Sequence, residues 1–273
     1  MRRFLPAFAF LLLAAASPAR EAAPPVSADP VVPQAPARAP YLAAGALDTR
    51  AILPPPPRAG TDAEAVDRLT FAGTRALKDT DRWALATADV RGGAAHLLAA
   101  FSCALGTRLT PARVPAVMAL LERTRLDVIA AVDAPKSLYA RPRPHLGNDL
   151  PICVPRSERL AASWSYPSGH ATEGWTFALI LAAAAPAQAT ALLRRGRLYG
   201  ESRMVCGVHW RSDVEAGRTN GAALFAGLLG NEAFRADLER ARADLARALA
   251  EPAVAPDPAT CAAEAEAARN PLP

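Results

Sequence analysis

From Asp62 onward the apolar residues recur at three- and four-residue intervals. TDAEAVDRLTFAGTRALK, TDRWALATADV and TPARVPAVMALLERTRLDVIAAVDAPK all show this spacing, and Thr61, Thr80 and Thr110 stand where helix N-caps belong. A loop is predicted over about 140–166. Further helices are predicted over 168–185, 187–206, 209–229 and 231–249. Alternation of β-branched and polar residues is nearly absent. WTFALILAAAA and GAALFAGLLG are about 11 and 10 residues long, which suits buried core helices and falls short of a membrane span. No internal repeat is visible. The pattern predicts an all-α protein with a single helical-bundle domain over residues 59–250.

The ends of the chain have a different texture. Arg2 and Arg3, the apolar run FLPAFAFLLLAAA and the small residues of SPA read as a secretory signal over residues 1–19. Residues 20–58 are rich in proline and alanine and end in ILPPPP, so they read as an extended leader without a core of its own. The tail, 251–273, reads as loose apart from Cys261. An exported, periplasmic location follows from the signal. Removing the signal's two arginines lowers the formal charge from +5 to +3. That is too mild and too scattered for a nucleic-acid partner. The densest basic run, Arg194–Arg197, reads as a solvated helix face. Four cysteines (Cys103, Cys153, Cys206 and Cys261) in an exported chain point to disulfides rather than a metal site, and their spacing leaves three connectivities open.

Three short segments concentrate the chemistry: KSLYARPRPH, PSGH (167–170) and SRMVCGVHWRSD. In the last, His209 and Asp213 are four apart, so on a helix the carboxylate can accept a hydrogen bond from one ring nitrogen. That fixes the tautomer and leaves the other nitrogen as a nucleophile. Lys136, Arg143 and Arg203 supply cationic donors for phosphate oxygens. A helix entrance at Ser168, Gly169 and His170 adds backbone N–H groups and the positive end of the helix dipole. His170 is then placed to give a proton to a departing alkoxide and later to take one from water.

The pattern K-x6-RP, then PSGH, then SR-x5-H-x3-D resembles the signature of the phosphatidic acid phosphatase type 2/haloperoxidase superfamily. It is matched by Lys136, Arg143, Pro144, Pro167, Ser168, Gly169, His170, Ser202, Arg203, His209 and Asp213. SYPSGH, SRMVCGVHWRSDVEAGR and the upstream LPPPP…DR.TF..TRALK.T.RW..A..D resemble the bacterial class A non-specific acid phosphatases over about 52–250. The resemblance implies a helical fold of that superfamily and an exported phosphomonoesterase that uses no metal or other cofactor and passes through a phosphohistidine. By it, His209 is the nucleophile, Asp213 its orienter and His170 the general acid. Lys136, Arg143, Ser168, Gly169, His170 and Arg203 bind phosphate. It also implies a Cys153–Cys206 disulfide, which leaves Cys103–Cys261 as the second pair.

The expected partners are small phosphomonoesters, with neither nucleic acid nor membrane, and the resemblance suggests a homo-oligomer and transfer of phosphate to alcohols. The alternative within the superfamily is a vanadate-dependent haloperoxidase. Ala171 stands where the acid phosphatases commonly carry a hydroxyl residue. Arg141 lacks the motif spacing and reads as a neighbouring ion-pair partner. Glu173 reads as an acidic residue favouring the helix N-terminus, with a sharper reading that it borders the leaving group and raises the pKa of His170. His96 reads as structural, and His145 as edging the pocket.

Overall fold

The computed structural model describes residues 39–270 and Leu272, so the predicted signal and the first part of the leader lie outside the described residues. The helices in chain order are α1 Thr49–Ile52, α2 Asp62–Thr74, α3 Asp81–Ala88, α4 Ala94–Ala100, α5 Ser102–Leu105 and α6 Pro115–Tyr139. They continue as α7 Glu158–Ala161, α8 Gly169–Ala184, α9 Ala189–Val205, α10 Arg211–Leu229, α11 Glu232–Ala250 and α12 Pro258–Arg269. No strand occurs among the described residues, and the fold is all-α.

The apolar spacing explains most of the boundaries. Thr61 and Thr80 cap α2 and α3 through their hydroxyls, accepting from Glu64 N and Trp83 N. Thr110 caps nothing. Its carbonyl instead closes a turn with Arg113 N, and the helix begins at Pro115, whose missing N–H costs nothing in the first turn. α6 then runs through Pro135. A proline there leaves the carbonyl four residues back without its helical donor. That carbonyl, Ala131 O, accepts from Thr49 Oγ1 and Asn220 Nδ2, each at 2.9 Å, so the helix is not broken. α8 is apolar all round and forms the centre, packed by α6, α9, α10 and α11.

Small residues set how closely the central helices approach. A methyl group at Gly217 of α10 would come 2.7 Å from the Ser168 carbonyl and 2.8 Å from Ala171 Cβ. Ala171 itself is fully buried there, and its Cβ would be 3.3 Å from one added at Gly200. This crowding accounts for a small residue at position 171.

The packed body extends beyond 59–250 at both ends. In the segment that composition reads as leader, the N–H groups of Tyr41 and Leu42 donate to the Asp127 carboxylate at 3.0 and 2.9 Å. Tyr41 is buried edge-on against Phe234, and Tyr166 donates its hydroxyl to the Pro54 carbonyl at 2.5 Å. The tail forms α12, with Ala267 packed on Leu85 and Leu198. Disulfides join Cys153 to Cys206 and Cys103 to Cys261. The second closes a separation of 158 residues, worth about 5 kcal/mol from chain entropy. The basic run also differs from its sequence reading. Arg195 points inward and pairs with Asp89 at 2.6 Å and Glu264 at 2.8 Å, because α9 is covered on that face by α3 and α12.

Gly217→Ala is expected to destabilise the fold by about 1–3 kcal/mol, since a rigid backbone carbonyl must move to admit the methyl. Urea unfolding measures this, and an unchanged midpoint would contradict the close approach of α8 and α10.

Candidate active site

The predicted site residues converge where the N-termini of α8 and α10 meet the C-termini of α6 and α9. Ser168 caps α8, accepting from Ala171 N at 3.3 Å, and its own N–H donates to the Asp213 carbonyl at 2.9 Å. That second bond corrects the sequence reading, because the Ser168 N–H is already used. The hydroxyl proton of Ser168 and the N–H groups of Gly169 and His170 are the donors that remain.

His209 lies two residues before α10 rather than on it. Gly207, with φ +79°, turns the chain there, and a methyl group at that residue would come 2.5 Å from Arg75 Nη1. Arg75 fills this corner by donating to the carbonyls of Met204 and Val205, at 2.8 and 2.6 Å, at the end of α9. The His209–Asp213 pairing therefore arises from a helix cap. Asp213, in the first turn of α10, accepts from Trp210 N at 2.8 Å, and the same oxygen lies 3.4 Å from His209 Nδ1. Its other oxygen accepts from Arg141 at 2.7 Å, and Arg141 also binds Asp67 at 2.7 Å. Arg141 is thus the ion-pair partner its spacing suggested.

The tautomer of His209 follows from its neighbours. Arg143 Nη1 lies 3.0 Å from Nε2, and a guanidinium can only donate. Nε2 is therefore the lone-pair nitrogen, and the proton sits on Nδ1, facing Asp213. Burial and the cations Arg143, Lys136 and Arg203 hold the His209 pKa well below 6.5, so the ring is neutral. His170 is the mirror case. Its Nε2 lies 3.0 Å from the Val90 carbonyl, an acceptor only, so Nε2 carries the proton and Nδ1 the lone pair. Burial, Arg203, Arg143 and Lys136 pull its pKa down to about 3, against the opposing pull of the Val90 hydrogen bond.

The cations are poorly compensated. Arg143 is anchored through Nε to Ser163 O at 2.9 Å and through Nη1 to Val208 O at 2.7 Å, but no carboxylate touches it. Lys136 donates to the Trp164 carbonyl, and burial together with Arg143 lowers its pKa to about 8. Arg203 is 5% exposed, and its Nε and Nη1 are buried with no acceptor among the described residues. A buried guanidinium without a partner is costly, so this arrangement calls for an anion.

Other residues fall outside the cluster. Glu173 is turned to α6, where Arg125 Nε donates to it at 2.9 Å, so Arg125 rather than His170 receives its charge. His145 is buried, with its pKa lowered to about 4, and shows no acceptor or donor at Nδ1. His96 lines a cleft of about 760 Å³ with Arg91, Gly92, Glu122 and Arg125. Gly92 brings that cleft beside His170, since a methyl there would lie 3.9 Å from Nε2. Val90, which fixes the His170 tautomer, acts through its backbone and carries no sequence signal.

The profile of the PAP2 superfamily matches residues 116–233, which include the whole cluster. The chain is 41% identical to an acid phosphatase of Zymomonas mobilis over 216 residues, 79% of this chain and 81% of that one. It is 34% identical to the non-specific acid phosphatase of Salmonella typhimurium, over 73% of this chain and 80% of that one. The non-specific acid phosphatase of Providencia stuartii is likewise 34% identical, over 74% and 82%.

Inorganic phosphate is expected to raise the melting temperature in proportion to the logarithm of its concentration, and Arg203→Ala to lose most of that gain. The pH dependence has a definite sign. Both histidines have folded pKa values below 6.5, so stability falls as pH drops from 6.5 toward the folded value, about 3 for His170. Asp213, pushed up to about 6 by burial, works the other way between about pH 6 and 3.8 and offsets part of the loss. Bound phosphate neutralises the cations that depress the histidines, so it should flatten the acid loss. Melts at pH 7 and pH 5, with and without phosphate, test this, and an acid loss indifferent to phosphate would refute it.

Proposed function

The chain belongs to the PAP2 superfamily, in company with bacterial acid phosphatases, and we propose that it is an exported, metal-independent phosphomonoesterase working through a phosphohistidine. The observation that carries this reading is the buried, acceptor-free guanidinium of Arg203 beside Arg143, Lys136 and the lone pair of His209 Nε2.

In this mechanism the non-bridging oxygens of the phosphate take the free donors of Arg203, Arg143, Lys136, the Ser168 hydroxyl and the N–H groups of Gly169 and His170. Arg143 turns its Nη1 proton from His209 Nε2 to the phosphate, which frees the lone pair. His209 Nε2 attacks phosphorus, and the bond to the ester oxygen breaks with its electron pair going to that oxygen. The developing imidazolium is stabilised through Nδ1–H by Asp213. His170, protonated once the phosphate dianion has offset the surrounding cations, gives its Nδ1 proton to the leaving oxygen. Water then loses a proton to His170 Nδ1 and attacks phosphorus. The phosphorus–nitrogen bond breaks, its pair returns to His209, and orthophosphate leaves. An alcohol in place of water gives phosphate transfer.

The test is hydrolysis of p-nitrophenyl phosphate in excess EDTA. The mature protein should turn over and His209→Ala should not, with an acid-labile phosphoryl adduct trapped only in the former. In kcat/KM, His170→Ala should cost on the order of 10²–10⁴-fold on an alkyl phosphate and much less on the nitrophenyl ester, whose leaving group needs no proton. Activity abolished by EDTA would overturn metal independence. Activity surviving in His209→Ala would overturn the phosphohistidine.

A further inference from the structure

One face of α9 carries Arg195, Tyr199 and Ser202, at i, i+4 and i+7, and all three hold the short loop that follows α3. The Asp89 carboxylate accepts from Arg195 Nη2 at 2.6 Å, Arg195 Nη1 at 3.2 Å and Ser202 Oγ at 2.7 Å. The Tyr199 hydroxyl donates to the Arg91 carbonyl at 3.2 Å, and its ring stacks on His170 with centroids 5.9 Å apart. Val90 lies between these two anchored residues, and its carbonyl is the acceptor for His170 Nε2. Asp89 and Arg195 are almost fully buried. Behind them, Glu264 of α12 pairs with Arg195 at 2.8 Å, and the Cys103–Cys261 disulfide ties α12 to α5.

A buried carboxylate that satisfies three donors at the end of a helix fixes the backbone beside it. Without it the loop would still have Tyr199, but the peptide that carries the Val90 carbonyl could rotate. The His170 ring would then lose the acceptor that commits its Nε2 proton and leaves Nδ1 toward the substrate. Asp89, Arg195 and Glu264 make no hydrogen bond to the phosphate cradle among the described residues.

We propose that Asp89 is the positioning residue of the general acid: clamped by Arg195 and Ser202, and backed by Glu264 of the C-terminal helix, it holds the Val90 carbonyl that sets the His170 tautomer. This rests on the phosphatase reading above. The C-terminal helix thereby belongs to the catalytic apparatus, at one remove, although it lies outside the matched superfamily region of residues 116–233.

The experiment compares kcat and KM for ethyl phosphate and p-nitrophenyl phosphate in the wild type, His170→Ala, Asp89→Asn and Glu264→Gln. In kcat/KM, which covers the steps up to departure of the alcohol and not the later water attack, loss of proton donation weighs on the alkyl ester alone, whereas general structural damage weighs on both esters. In Asp89→Asn, kcat/KM for ethyl phosphate should fall roughly 10-fold or more, with a change of less than about 3-fold for the nitrophenyl ester. Glu264→Gln, remote from the cradle, should shift the same ratio in the same direction by a smaller factor, and it decides the matter if Asp89→Asn does not fold. Equal losses on both esters, or an unchanged ratio in Glu264→Gln when Asp89→Asn cannot be made, would overturn the proposal. A wild type that hydrolyses neither ester would overturn the phosphatase reading instead, and a His170→Ala that does not discriminate between them would overturn the general-acid role of His170 that the proposal presupposes.

Discussion

Asp213 is the point on which the site turns. One carboxylate oxygen closes the first turn of α10 through Trp210 N and faces His209, and the other binds Arg141. Its backbone carbonyl receives the Ser168 N–H and so fixes the start of α8. A fully buried carboxylate is tolerated only when its charge is met by good hydrogen bonds, and here Trp210 N and Arg141 supply them, while Asp67 holds Arg141 in place from its other side. The same group therefore caps one helix, docks a second and faces His209. A change there disturbs fold and chemistry together, which is why residues in such a place admit few substitutes.

The central helices have to come close for this to happen. Gly217 and Ala171 bring α10 against the first turn of α8, and that contact places the Asp213 carbonyl within reach of Ser168. The body then carries a cluster of positive groups, Lys136, Arg143 and Arg203, whose compensation within the protein is incomplete. Such a cluster lowers the stability of the free protein and raises its affinity for an anion, the two being the same free energy viewed from either side. Disulfides and the Arg195–Asp89–Glu264 network surround the cluster and hold its walls.

Much of this was legible in the sequence because it is written in side chains at fixed spacing. Apolar periodicity gave the main helices, and the three motifs named the residues that meet at the site. Where the reading departed from the structure, backbone groups or distant partners decided. Thr110 has the residue type of a cap, but Pro115 sets where the helix can start. His209 and Asp213 show helical spacing without sharing a helix, because a cap gives the same proximity. Residues 39–58 have a leader's composition, yet Tyr41 and Leu42 find the Asp127 carboxylate some 85 positions away. Glu173 sits one turn from His170, but Arg125 on another helix takes its charge. No local pattern encodes the Val90 carbonyl, since every residue has one.

In the proposed mechanism, the division of labour between the two histidines follows from those backbone and guanidinium partners. Both rings are held neutral first by burial and then by the same cations, so bulk electrostatics does not distinguish a nucleophile from an acid. The distinction lies in which nitrogen each ring presents. Arg143 can only donate, so His209 offers the lone pair of Nε2 and keeps its proton toward Asp213, which favours the cation that forms on attack. Val90 can only accept, so His170 keeps its proton on Nε2 and offers Nδ1, with no carboxylate behind it to favour a permanent cation. A ring backed by a carboxylate gains from becoming positive during the reaction. A ring backed by a neutral carbonyl gains less and releases its proton more readily. Two histidines in one electrostatic field thus take opposite roles because one partner is a donor and the other an acceptor.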